Sequence, residues 1–241
     1  MDSFQIIISG NSTDITTNFS PPLMLYPEKS YEIALVNMET YYSFPNVDES
    51  NNIFRYFNGK TNKTITLPIG SYELSQVNTE IQRQMANNGD YDSTNNKHYI
   101  TIGSNFATLK STINITHQDY KIDFTGANTI RYLLGFDSKQ LKSGYYESDN
   151  MVNIMNINSI FVNMDCIRES YVCGSSSSVI YSFFPAVGPG YKIIQSPNNL
   201  IYLPLNKNAL YSIKTWITDQ NSNLLNLRGE NVTMRFHIRS K

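Results

Sequence analysis

The 241-residue chain is 40% hydrophobic and has a mean hydropathy of −0.34, a size and balance that suit one large β domain or two small ones. Its 19 basic residues are scattered among 20 acidic ones, giving a net charge of −1, which argues against direct nucleic-acid binding because such binding rests on clustered Lys and Arg neutralising phosphates. No apolar run approaches ~20 residues, so no membrane-spanning helix is expected, and no signal peptide is expected because Asp2 stands where a basic start would be.

Strand signals dominate in chain order. Phe4–Ser9 is a short apolar strand, and Tyr31, Ile33 and Leu35 lie in a longer one launched by Pro27 to Ser30. Ile65–Leu67 is a short strand followed by a turn at Pro68 to Ser71. Leu74, Val77, Ile81 and Met85 then recur at helical spacing, with Ser75 placed to cap the helix and Asn87-Asn88-Gly89 to end it. Two β segments follow, His98–Ile102 and Thr112–Thr116, and a second short helix is expected over 128–134 with Gly135 as its stop.

Beyond that point, Met151–Met164 reads as one long strand or two strands with a bulge, since the parity of its apolar residues changes near Asn156. Ser175 to Ser178 reads as an exposed loop. Tyr211, Ile213, Thr215 and Ile217 alternate with polar neighbours, and so do Val232, Met234, Phe236 and Ile238. The turn-forming run from Asp219 to Asn223 between them predicts a β-hairpin or near-hairpin. Short strands with Pro, Gly and Asn turns predict a mainly β fold, a jelly-roll sandwich with a small α+β insertion. The expected division is a jelly-roll domain over 1–63 plus 138–241 and an α+β insertion over 64–137.

Catalytic chemistry finds little to work with. His98, His117 and His237 have no metal-ligand spacing, and no metal or other cofactor is expected. Cys166 and Cys173 lack the CxxC spacing of redox and zinc sites and are expected to be reduced thiols. Asp123 and Glu230 are the carboxylates considered for glycosidase-like chemistry, but nothing in the sequence brings them together, and Glu230 reads as a turn residue. Gly188-Pro189-Gly190 is a turn and not a phosphate cradle, because Pro189 has no N–H to offer. The chain is therefore read as a non-enzyme.

The composition points instead toward packing between subunits. Only 16% of residues are charged, while 29 are Asn and 17 are Tyr. Amides and phenols cost less to bury than charges do. The aromatic runs at Tyr41 to Phe44 and Tyr181 to Phe184 could form a carbohydrate platform, but core and interface packing is the preferred reading.

Three stretches resemble a known family. They are Leu67 to Leu74 with the helix after it; Ile122 to Thr125 through Leu133 to Phe136; and Phe183 to Ile194, continued by Ile201 to Pro204, Asp219-Gln220 and Leu227 to Glu230. This pattern resembles the minor capsid (penton) proteins of Polinton/Maverick elements and adintoviruses. The resemblance implies a structural jelly-roll protein of the virion that forms a homopentamer at the five-fold vertices of an icosahedral shell, beside a double-jelly-roll major capsid protein. It implies no active site. Phe183, Phe184 and Tyr191 are expected at or just beneath one subunit-interface patch. The alternative is a jelly-roll carbohydrate- or receptor-binding module.

Overall fold

The computed structural model describes residues 3–155 and 157–241. It divides into two compact units, one made of residues 1–44 and 157–241 and the other of residues 45–156. The first unit opens with β1 (Ser3–Gly10), β2 (Asp14–Met24) and β3 (Tyr31–Tyr41). The second holds β4 (Ile53–Asn58), β5 (Asn62–Thr66), α1 (Leu74–Asn87), β6 (Tyr91–Asp92), β7 (Lys97–His98), β8 (Ile100–Asn105), β9 (Lys110–Ile115), β10 (Tyr120–Asp123), α2 (Arg131–Leu134), β11 (Gln140–Leu141) and β12 (Gly144–Glu147). The chain then re-enters the first unit as β13 (Ile160–Met164), the small hairpin β14 (Ser170–Val172) and β15 (Ser175–Ser177), β16 (Val179–Phe183), β17 (Lys192–Gln195), β18 (Leu203–Pro204), β19 (Ala209–Thr218) and β20 (Val232–Ser240).

The first unit is an eight-stranded jelly roll. One antiparallel sheet runs β1-β20-β3-β17, with β18 also paired to β3, and the other runs β16-β13-β19-β2. Taking these eight strands in chain order, the sheets read first-eighth-third-sixth and fifth-fourth-seventh-second, the interleaving of two Greek keys. Both sheets bury their inner faces on one core: Ile6, Ile8, Ile33, Met38, Met234 and Phe236 come from the first, and Ile160, Val162, Leu210, Ile213 and Ile217 from the second. Alternation fixes which face of each strand turns inward.

Three expectations from the sequence are corrected here. The last two long strands do not form a hairpin: β19 pairs with β13 and β2, whereas β20 pairs with β1 and β3. The connection crosses from one sheet to the other, and it is anchored by Leu225 and Leu227, which are themselves buried in the core. Tyr211 does not share a face with Ile213, because the register shifts between Leu210 and Ser212; Leu210 is buried there and Tyr211 points to solvent. In the 151–164 stretch only Ile160–Met164 is a strand. Val152 and Asn153 instead donate to the carbonyls of Leu109 and Leu133 inside the second unit. The parity change therefore marks the border between the units, and Asn156, where it falls, lies outside the described residues.

The second unit is wider at both ends than the expected 64–137, because β4, on one side, and β11 and β12, on the other, are built into its sheets. Those sheets are β11-β10-β4-β5, β12-β9-β8 and the short β6-β7 pair. Its core joins Phe54, Tyr56, Ile113, Ile122, Phe124 and Phe136 to the buried face of α1, made of Leu74, Val77, Ile81 and Met85. The helix starts one residue before the expected cap: Glu73 is the N-cap, and its N–H donates to the Gln76 side chain at 2.9 Å. Ser75 lies inside the first turn, where its carbonyl accepts from the Thr79 hydroxyl. The helix ends at Asn88 and Gly89, the latter with φ of +80°, and the Asp90 N–H returns to the Met85 carbonyl.

Candidate subunit interface

The β16 strand ends at Phe183, with Phe184 directly after it, and it is bulged near its start. Ile160 opposes Phe183 and Val162 opposes Tyr181, but Asn163 opposes Val179, so Ile180 is the extra residue. Phe183 and Tyr181, two residues apart in the unshifted part of the strand, share the inner face, with stacked rings 6.1 Å apart at 23°. Phe183 is 8% exposed and belongs to the jelly-roll core. The next residue, Phe184, turns outward and is 49% exposed.

Tyr191 follows a tight turn. Its N–H donates to the Gly188 carbonyl, and Gly190 takes a φ of +81° that an L side chain resists. Gly190 N–H donates to the Tyr42 carbonyl, and Tyr42 N–H to the Tyr191 carbonyl, which ties the turn to the end of β3. With its backbone held on both sides, the Tyr191 ring stands 69% exposed. Of the three residues, two are at the surface and one lies beneath it.

Other exposed apolar side chains lie around β17, of which the sequence reading places only Tyr41 in a packing run. Ile194 is exposed on β17, opposite Glu39, and Tyr41 is exposed opposite Lys192, so they are diagonal neighbours on the outer face of the sheet. Ile201, shortly before β18, is exposed as well. The signal for Ile194 was present in the sequence: in Lys192 to Gln195 only one of two adjacent isoleucines can face the core, and Ile193 is the buried one.

Charges on the same outer face are matched within the chain. Glu39 accepts from Lys192 at 2.7 Å and from Arg235 at 3.2 Å, and these partners, Lys192 foremost, hold its carboxyl below the usual value. Arg239 pairs with Glu32 at 2.6 Å and lies 3.6 Å over the Tyr202 ring. His237 is held between the Ser3 hydroxyl at 2.6 Å and the Tyr202 hydroxyl at 2.7 Å.

The residues considered for chemistry are placed as follows. Tyr42 and Phe44 are buried with rings 4.3 Å apart, edge to face, so they cannot form a sugar platform. Cys166 and Cys173 are free thiols, the first buried and the second exposed. Burial pushes the Cys166 thiol up to about 12, which keeps it protonated and unreactive. Asp123 is bonded to the Thr125 hydroxyl and amide, and these bonds hold its carboxyl low. The Glu230 N–H closes a turn onto the Leu227 carbonyl. Among the described residues no group of three or more His, Cys, Asp or Glu could hold a metal ion, and no helix is long and apolar enough to cross a membrane.

No family model matches the chain, and neither does any curated protein. Among solved structures it is similar to the crystal structure of selenomethionine-labelled mavirus penton protein. The match covers 100% of this chain and 99% of that one, with a TM-score of 0.50 and 12% sequence identity. At that identity the likeness is one of fold.

Proposed function

We propose that this chain is a minor capsid (penton) protein of the Polinton/Maverick and adintovirus type. It builds the five-fold vertices of an icosahedral virus-like particle as a homopentamer, beside a double-jelly-roll major capsid protein. The observation that carries the reading is an end-to-end match in fold: an eight-stranded jelly roll, interrupted in sequence by a second unit, in a chain that aligns over its whole length with the mavirus penton protein. The sequence resemblance to penton proteins supports the same role independently of the fold.

The chemistry is consistent with assembly. The outer face around β17 combines exposed Tyr41, Tyr191 and Ile194 with ion pairs that are matched within the chain. A ring of identical subunits needs two different, complementary patches on each copy, and interface centres favour aromatic over unpaired charged groups. Phe184 and Tyr191 belong to one such patch, with Phe183 supporting it from the core. The test is light scattering of the purified protein together with negative-stain imaging. A mass of five chains and five-fold rings are expected; stable monomers or trimers would overturn the reading.

A further inference from the structure

Among the described residues the edge strands of the jelly roll are β1 at one end of one sheet, β17 and the two-residue β18 at its other end, and β16 and β2 in the other sheet. An unpaired edge exposes a row of backbone donors and acceptors, and proteins blunt such edges with prolines, charges, bulges or shortness. The β2 edge contains Pro21 and Pro22, and its pairing with β19 carries a register shift. The β16 edge is five residues long and bulged.

The β1 edge has none of these guards. Its eight residues, Ser-Phe-Gln-Ile-Ile-Ile-Ser-Gly, contain no charge and no proline, and they pair with β20 in unbroken register from Ser3 to Gly10. Ile7 stands 57% exposed on the outer face. At the opposite end of the same sheet, β17 is short, and its single charge, Lys192, is already taken by Glu39. That end carries the exposed Ile194 and Tyr191.

We infer that β1 of one copy pairs with β17 of the next, so that this sheet runs on from subunit to subunit around the ring. The occupant of each edge is a second copy of this chain, and the inference rests on the assembly reading above. Two observations select this arrangement. A closed ring joins unlike patches, and β1 and β17 are the two unlike ends of one sheet. The path between them has four strands, each antiparallel to its neighbour, so the two edges run in opposite directions. Where the strands run along the ring axis, β17 of one copy and β1 of the next therefore meet antiparallel, as every other pair in the sheet does. Pairing two copies through their β1 edges would instead give a two-fold dimer and leave β17 unused.

Hydrogen exchange and cross-linking test this on the full chain. On assembly, alternate amides within Ser3–Gly10 should slow by at least ~10-fold relative to a dissociated subunit. In a Cys173→Ser background, which removes the exposed thiol, Ile7→Cys with Ile194→Cys should give a covalent ladder ending at five chains. A thiol-to-thiol linker of ~10 Å is used, because it tolerates a register offset of about three residues. Rings of five with fast β1 amides and no ladder would overturn this inference and leave the vertex reading standing. Dimers from Ile7→Cys alone would overturn it in favour of two-fold pairing. If no ring forms at all, both readings fail.

Discussion

Gly135 and Asn150 are joined backbone to backbone. The Asn150 N–H donates to the Gly135 carbonyl at 2.8 Å, and a Cβ added to Gly135 would lie 2.3 Å from the Asn150 carbonyl oxygen. Gly135 also has a φ of +78°, so it ends α2 in a conformation that L residues resist. Gly135→Ala should therefore lose stability twice, through left-handed strain and through collision with backbone that cannot rotate away, by about 2–4 kcal/mol together. Gly89→Ala serves as the control: φ there is +80°, but an added Cβ would meet no described residue within 4 Å, so about 1–2 kcal/mol is expected. Urea unfolding of the two variants measures the difference.

Thr215 is fully buried on the inner face of the jelly roll, and its hydroxyl has no hydrogen-bond partner among the described residues. Thr215→Val keeps the shape and removes the unpaired group. It should stabilise the protein by about 1 kcal/mol, because an unsatisfied buried hydroxyl carries its desolvation penalty with no return. A denaturation midpoint that stayed the same or fell would contradict this.

The second unit holds a buried carboxyl, Asp90, on three side chains: Tyr56 donates at 2.6 Å, Asn58 at 2.8 Å and Tyr120 at 3.3 Å. Tyr56→Phe should cost about 1–3 kcal/mol by stripping one partner from a buried group. Burial first, then the Asp90 carboxyl, pushes both phenols well above their ordinary value of 10. Their contribution to stability is therefore complete below pH 10 and is lost as pH rises beyond it, because only the unfolded chain ionises them readily. Alkaline absorbance titration should show Tyr56 and Tyr120 ionising only as the fold is lost.

Lys192, and after it Arg235, lowers the Glu39 carboxyl below its usual 4.5. The ion pairs hold above that value and loosen as pH falls through the lowered one. In Lys192→Met the Glu39 titration should move upward, toward the ordinary value, by carboxyl-detected NMR. An unchanged titration would mean that Arg235 alone sets it.

Phe184→Asp places a charge on an exposed ring position just after β16, outside the core. In the proposed ring, assembly should weaken by ~100-fold or more while the monomer's unfolding midpoint holds, since an unpaired charge is costly at the centre of the proposed interface. Phe183→Asp should do something different and unfold the jelly roll, because Phe183 is a core residue. Analytical ultracentrifugation separates loss of assembly from loss of fold.

Much of this architecture was legible in residue order because the signals are local. Alternation in Val232 to Ile238 needs only the two-residue period of a strand, and the spacing of Leu74, Val77, Ile81 and Met85 needs only the turn of a helix. For the same reason, the α2 stop at Gly135 could be read directly.

What only the tertiary structure decided was partnership. The turn-rich run after β19 could equally serve a hairpin or a crossing, and the choice fell to burial of Leu225 and Leu227 more than to any turn chemistry. Pairing with the buried Ile160 put Phe183 inside and left Phe184 outside, and a parity change that looked like a bulge was the border between two units. The sequence by itself determined which residues alternate and which turns can form. Which sheet each strand joins, and so which edges are left open, follows from non-local burial that no local period encodes.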